Sequence, residues 1–242
     1  MKDMYKEINL DSVNSTNRWA KEQIANLPDR TIITAKTQTN GRGRLDRSWT
    51  DLGNGNLFLT FILKPDMKYN SHFANITQYL SVILCRVLEQ YSVTPQIKWP
   101  NDVLVNGKKI AGILAETTMS QNSFGGIVLG IGVNLNAKAE SFKSIDKPAT
   151  ALNIETNREI SLEKFKKELC DEFFSQYDEF MGNGFSFIMD EYIKRACFLN
   201  KELTVAHVDK NISGTAKGIT EHGELVLAQQ DKDIILNIGD IL

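Results

Sequence analysis

The sequence predicts an α+β fold with a small β-barrel appended at its C-terminal end. Three observations carry that expectation. Leu57 to Leu63 and Gly126 to Asn136 are nearly continuous apolar runs of strand length, which fit strands buried on both faces. Ile76, Tyr79, Leu80, Ile83, Leu84, Val87 and Leu88 recur at i, i+3, i+4, and Leu162, Phe165, Leu169, Phe173, Tyr177 and Phe180 form a second such stripe; both have the period of a core-facing helix. After Phe198 the texture changes to short strands separated by turn residues about every 10 residues, the pattern of a small barrel.

The remaining elements follow in order. Ile8 to Val13 is a short mixed segment. Asn14-Ser15-Thr16-Asn17 precedes Trp19, Ala20 and Ile24, so Ser15 or Thr16 reads as the N-cap of a helix that ends near Pro28. A helix start with spare hydroxyls can also hydrogen-bond a polar ligand. Thr31 to Ala35 is a β-branched strand. Gly53 and Gly55 punctuate the start of the Leu57–Leu63 strand, and the helix stripe beyond it spans His72 to Gln90. Asn106-Gly107 between apolar runs predicts a two-residue hairpin that pairs Val103–Val105 with Ile110–Glu116. In the next strand, Gly130 and Gly132 suggest close approach of a ligand or a backbone. Lys138 to Pro148 reads as an exposed loop. Ser161 caps the second long helix, Gly182-Asn183-Gly184 stops it, and a further helix is expected over Phe187 to Phe198. The terminal strands are Leu203–Val208, Ser213–Ile219, Glu224–Leu227 and Ile234–Ile238, with turns at Asp209-Lys210-Asn211, Glu221-His222-Gly223 and Asp231-Lys232-Asp233.

Composition excludes several function classes. The 242 residues can bury a sizeable core, and a net charge of −2 supplies no global basic field for nucleic acid. Any anion site must be local. Cys85, Cys170 and Cys197 lie far apart without metal or disulfide spacing, and Cys85 and Cys170 fall on the helical stripes as small core residues. His72, His207 and His222 are scattered. No apolar run approaches ~20 residues and no signal peptide opens the chain, so a soluble cytoplasmic protein without a membrane partner is the default. Walker A, G-x-S-x-G and kinase signatures are absent.

One basic stretch stands out. Gln38 to Trp49 holds two glycines, three arginines and an indole between two apolar runs. Glycines let a backbone approach a ligand closely, and guanidinium forks suit carboxylate and phosphate oxygens. On its own the stretch reads better as a solvated basic turn. Lys98-Trp99-Pro100-Asn101-Asp102, Lys109 to Glu116, and Gly130 to Asn134 are the other candidate stretches. Trp99 reads as core, Pro100-Asn101-Asp102 as a turn between strands, and Lys108 and Lys109 as turn charges, unless the stretches converge.

Taken together and in this order, Ser15-Thr16-Asn17, Gln38, Gly41-Arg42-Gly43-Arg44 with Trp49, Lys98 to Asp102, Lys109 to Glu116 and Gly130 to Asn134 resemble the biotin–protein ligases, also called biotin–[acetyl-CoA-carboxylase] ligases. The resemblance covers nearly the whole chain. It implies a mixed-sheet catalytic domain over 1–197 and an SH3-like barrel over 198–242. It implies two steps: the biotin carboxylate attacks the α-phosphate of MgATP to give biotinyl-5′-AMP and pyrophosphate, and a lysine of a biotin carboxyl carrier protein then attacks the mixed anhydride and releases AMP. It implies Lys109, Arg42 and Arg44 as catalytic groups. Biotin would meet Ser15, Thr16, Asn17, Gln38, Gly41, Arg42, Gly43, Arg44, Lys109 and Gly112. ATP and the adenylate would meet Arg42, Arg44, Trp49, Asn101, Asp102, Lys109 and Asn134, with Trp49 stacked on adenine and Asp102 a ligand for Mg2+. The glycines at 41 and 43 would let the stretch close as a lid over a hydrolysable intermediate. Asp46 stands where family members commonly carry a small residue, which bears on how the lid closes. The ligase motifs begin almost at Met1, which implies a ligase without the helix-turn-helix repressor domain of some members and without sequence-specific DNA as a partner. Exposed strand edges leave a homodimer open. A lipoate or octanoyl ligase is the nearest rival, and a non-catalytic anion- or RNA-binding protein is the rival from another class.

Overall fold

A computed structural model of the chain describes residues 4–44, 47–53, 55–120, 123–208, 210–230 and 232–242. Leu45 and Asp46, the site of the departure noted above, lie outside the described residues, as do Asp209 and Asp231 of two expected turns.

The chain builds a seven-stranded mixed sheet in the order β1-β2-β5-β9-β8-β7-β6. Its strands are β1 (Lys6–Val13), β2 (Thr31–Gln38), β5 (Leu57–Leu63), β6 (Pro95–Lys98), β7 (Asp102–Val105), β8 (Lys108–Ser120) and β9 (Ser123–Val133). A separate two-stranded ribbon joins β3 (Gly41–Arg42) to β4 (Ser48–Trp49). β1 and β2 run parallel and the other neighbours antiparallel. The mixed segment Ile8–Val13 is therefore an edge strand, which explains its poor apolar pattern: its residues are exposed or only partly buried.

Helices cover both faces of the sheet, and this is why β5 is apolar but for Thr60. On one face, Ala20 and Ile24 pack on Ile33, Ile62 and Val128, brought there by α1 (Thr16–Gln23) and the helical turn after it. On the other, α2 (Ile76–Glu89) and the 22-residue α4 (Leu162–Asn183) bury their stripes against Ile32, Phe61 and Leu129. Phe61 and Phe173 stack at 4.3 Å between centroids. Between these two helices the chain forms the short α3 (Leu152–Thr156). The Ser161 side chain accepts from the Lys164 amide, as an N-cap should. Ser15 sits at the N-cap position of α1 without a capping side-chain bond, which leaves its hydroxyl for other work. The hairpin turn is as expected: Asn106 and Gly107 both have positive φ, 51° and 74°. The helix expected over Phe187 to Phe198 is shorter, α5 (Met189–Arg195) after a helical turn at Gly184–Phe187.

Five antiparallel strands form the C-terminal sheet: β10 (Glu202–His207), β11 (Lys210–Ile219), β12 (Leu225–Ala228), β13 (Asp233–Leu236) and β14 (Asp240–Ile241), in the order β13-β12-β11-β10-β14. The two-residue β14 is one strand more than the pattern announces. One turn of the sheet is hydrogen-bonded to the larger part. Gln78 Nε2 donates to the Gly223 carbonyl at 2.8 Å, Asn75 Nδ2 to the His222 carbonyl at 2.9 Å, and Trp99 Nε1 to Gly223 O at 3.3 Å. Gly223 has φ +78°, and a methyl there would stand 2.5 Å from Asn75 Nδ2, so glycine suits both the turn and the contact. Trp99 is core, as the sequence suggests, at 2% exposure.

Candidate active site

At one end of the large sheet lies a cavity of about 720 Å³. Its floor is the β8–β9 pair, where Gly112 faces Gly132 across the ladder. The start of α1 gives one wall, with Ser15, Thr16 and Asn17. From the basic stretch, Gln38, Arg42, Gly43, Arg44, Arg47 and Trp49 reach the lining, and Asn101, Asp102, Lys109 and Asn134 close the far side. Of the residues expected at a site, every one lines this cavity except Gly41. Gly41 is instead buried in the β3–β4 ribbon opposite Trp49, where a methyl would lie 2.5 Å from the Trp49 carbonyl oxygen. Its glycine answers a close backbone approach.

The end of the cavity beside α1 is a continuous hydrogen-bond chain. The Thr16 amide and hydroxyl both donate to Gln38 Oε1, at 2.8 and 3.1 Å. The fully buried Thr60 hydroxyl lies 2.8 Å from Thr16 Oγ1 and 2.8 Å from Asn17 Oδ1. Asn17 Nδ2 donates to Leu114 O at 3.2 Å and to Glu116 Oε2 at 3.3 Å. Glu116 Oε1 accepts from Lys21 at 2.9 Å and from Arg42 at 3.2 Å. Burial works against the charged form of Glu116, yet Lys21, Arg42 and Asn17 outweigh it and hold the carboxyl below its usual range. Gly130 is glycine because Asn17 lies on it: a methyl there would sit 2.0 Å from Asn17 Oδ1.

In the middle, the indole of Trp49 lies against the two facing glycines. A methyl on Gly132 would be 2.5 Å from Trp49 Cε2, and one on Gly112 would be 2.9 Å from Trp49 Cζ3. The close approach that Gly132 suggests is made by the chain's own side chain. Trp49 Nε1 is buried and has no hydrogen-bond partner among the described residues.

The far end concentrates charge. Lys109 Nζ is 2.6 Å from Asp102 Oδ1 and 5.5 Å from the Trp49 ring centroid. Its backbone is tied on both sides, to Pro148 O and to the Thr150 amide, both at 2.9 Å. Arg44 donates to Asn101 Oδ1 at 3.1 Å and to Gly239 O at 3.2 Å, and pairs with Asp240 at 3.3 Å. Arg47 pairs with Asp240 at 3.1 Å. Asn134 donates to Thr150 O at 3.0 Å. Lys98 stands just outside, half-buried, and burial, with the neighbouring Lys147, pushes its ammonium below the usual lysine range.

Sequence reasoning missed several of these groups. Asp240 is the clearest, since the stretch it grips lies nearly the whole chain away. Ile145, Asp146 and Lys147, inside the expected exposed loop, line the cavity. Thr60 was hidden within an apolar strand, and Glu116 was visible only as the end of a motif.

Arg44, Arg47 and Lys109 gather at one end of this cavity, and an amide-and-hydroxyl cluster with Arg42 beside it lies at the other. The model of the biotin/lipoate A/B protein ligase family matches residues 9–134, and that of the biotin protein ligase C-terminal domain matches 198–242. The chain belongs to the biotin/lipoate A/B protein ligase family. A family relative, the biotin–[acetyl-CoA-carboxylase] ligase of Paracoccus denitrificans, is 30% identical over 227 residues, covering 90% of this chain and 92% of that protein. The bifunctional ligase/repressor BirA of Bacillus spizizenii is 29% identical over 224 residues, covering 91% of this chain and 69% of that one. Among solved members of the family, the Aquifex aeolicus biotin protein ligase in complex with biotin and ATP superimposes with a TM-score of 0.85 at 25% identity, covering 98% and 97% of the two chains. No helix among the described residues is long and apolar enough to cross a membrane.

Proposed function

We propose that this protein activates biotin with ATP and transfers it to a lysine of a biotin carboxyl carrier protein. The observation that carries the reading is the convergence of Arg42, Arg44 and Lys109 with Ser15, Thr16, Asn17 and Gln38 on one cavity. The carboxylate of biotin attacks the α-phosphorus of ATP, the bond to the β-phosphate oxygen breaks, and pyrophosphate leaves with the electron pair. The lysine amine of the carrier then attacks the acyl carbon of the biotinyl-5′-AMP, AMP leaves, and the amine proton is lost to solvent.

Two anions must meet in the first step. Lys109 is a compact cation held in place by Asp102 and by its tied backbone, and preorganised donors of this kind contribute about 3 kcal/mol each to a transition state. Arg42 and Arg44 present forks to carboxylate and phosphate oxygens. The apolar floor and the polar cluster beside α1 suit a ligand with an aliphatic body and one polar head. Trp49, Asn101, Asp102 and Asn134 take the nucleotide end in this reading.

Magnesium bound to a triphosphate keeps several waters and takes one or two protein carboxylates. The lining offers Asp102 in that role, and no group of three or more metal-ligating side chains gathers among the described residues. That donor set fits an ion carried in on ATP, where it would offset phosphate charge. We assign catalysis to residues 1–197 and a supporting wall to 198–242, which brings Asp240 to the lining.

The test is incubation with MgATP, labelled biotin and a carrier domain, with labelled lipoate in parallel. Covalent label from biotin alone is the expected result. Label from lipoate alone would establish the rival ligase, and binding without transfer would establish a non-catalytic protein.

A further inference from the structure

Glu116 lies outside the cavity lining yet touches two residues that belong to it, Asn17 and Arg42. An ionised carboxylate accepts hydrogen bonds and donates none. The NH2 group of Asn17 must therefore face Glu116, and the Leu114 carbonyl beside it demands the same orientation. This turns the Asn17 carbonyl oxygen the other way, over Gly130, which lines the cavity and has no side chain to cover that oxygen. A carbonyl oxygen has two lone pairs. The Thr60 hydroxyl takes at most one of them, since its single hydrogen is shared between Thr16 and Asn17. Lys21 and Arg42 keep the carboxylate charged and so keep the amide from turning over.

We propose that Glu116 is a positioning residue that locks the Asn17 amide with its acceptor toward the cavity, and so selects a ligand head that carries an N–H donor. The cyclic urea of biotin has two such donors, whereas the dithiolane of lipoate has none. The inference rests on the functional reading above. It adds a reason for the choice between two acyl groups, and it assigns that choice to a side chain that does not touch the ligand.

Glu116→Gln keeps the size of the side chain but can donate as well as accept, so the orientation of the Asn17 amide then rests on the Leu114 carbonyl alone and reversal becomes easier. We expect the KM for biotin to rise about tenfold, the order for one hydrogen bond to the ligand, with kcat and the KM for ATP within about twofold. Asn17→Ala should raise the biotin KM similarly, and adding Glu116→Gln to it should change that KM no further, since the amide it acts through is gone. Lys21→Ala, which leaves the Arg42 contact intact, should move the biotin KM by less than about threefold. A structural role for Glu116 would instead lower kcat and both KM-defined affinities together and would persist in the Asn17→Ala background. An unchanged biotin KM in Glu116→Gln overturns the proposal. So does an unchanged biotin KM in Asn17→Ala, a result that stands even where Glu116→Gln fails to fold. An unsubstituted protein that neither binds nor transfers biotin overturns the functional reading as well, and that outcome appears before any variant is compared.

Discussion

Lys109 Nζ and Asp102 Oδ1 stand 2.6 Å apart, and both side chains retain partial exposure on the cavity wall. The pair fixes a compact cation where two anionic substrates would meet. Lys109→Ala should cut the rate of adenylate formation about 10²–10³-fold, the usual cost of one preorganised donor. Pyrophosphate release in a single turnover measures it, and a near-normal rate would remove Lys109 from the chemistry.

Arg44 is held by three groups from two regions of the chain: Asn101, the Gly239 carbonyl and Asp240. A residue so anchored can keep the basic stretch seated over a hydrolysable anhydride. Arg44→Ala should increase the share of biotinyl-5′-AMP released free relative to the share passed to a carrier. Chromatography of the products during turnover gives that ratio, and an unaltered ratio would argue against a covering role.

Trp49 rests on Gly112 and Gly132 with no room for a methyl. Gly132→Ala should drive the indole off the floor, at a cost of about 1–3 kcal/mol. Tryptophan emission reports it, because Trp49 is one of only three tryptophans and its half-buried indole would become wetter. Emission identical to that of the unsubstituted protein would mean that the floor yields and the indole stays.

Away from the site, Glu191 accepts from Arg86 Nε at 3.1 Å and from Arg195 at 2.9 Å. The hydrogen bonds from Arg86 are the main reason its carboxyl sits below the usual range, and burial opposes them. A lowered folded-state value means that the contribution to stability is fully present above the ordinary glutamate range and fades as pH falls through the lowered value. The stability difference between the natural protein and Glu191→Gln should therefore be flat near neutrality and shrink below about pH 4.3. Denaturant titrations across that range test it; a difference that grows with acid would reverse the sign.

The parts that read cleanly from sequence are those encoded locally. Asn106-Gly107 specifies its hairpin with two residues, and the stripe from Ile76 to Leu88 specifies a helix with one face. Asn17, Gln38 and Lys109 could be proposed for the site because each stands within a recognisable motif. Asp240 could not, because its partners are set by how the C-terminal sheet docks, and a two-residue strand leaves no period to find. Ile8 to Val13 failed as a strand signal for a related reason: an edge strand need not bury either face. The stretch from Ile145 to Lys147 looked like surface and is surface, yet it borders a cavity that only the fold creates.

Trp99 donates to Gly223 on the C-terminal sheet, and a methyl built on Gly239 would touch its ring at 3.6 Å. Val205, Leu225 and Leu236 belong to the same apolar cluster as Ile97, Phe173 and Leu129. The C-terminal strands are therefore not a passenger on a flexible tether. A protease cut between the two parts would leave the fragments associated, and heating should melt both in one transition.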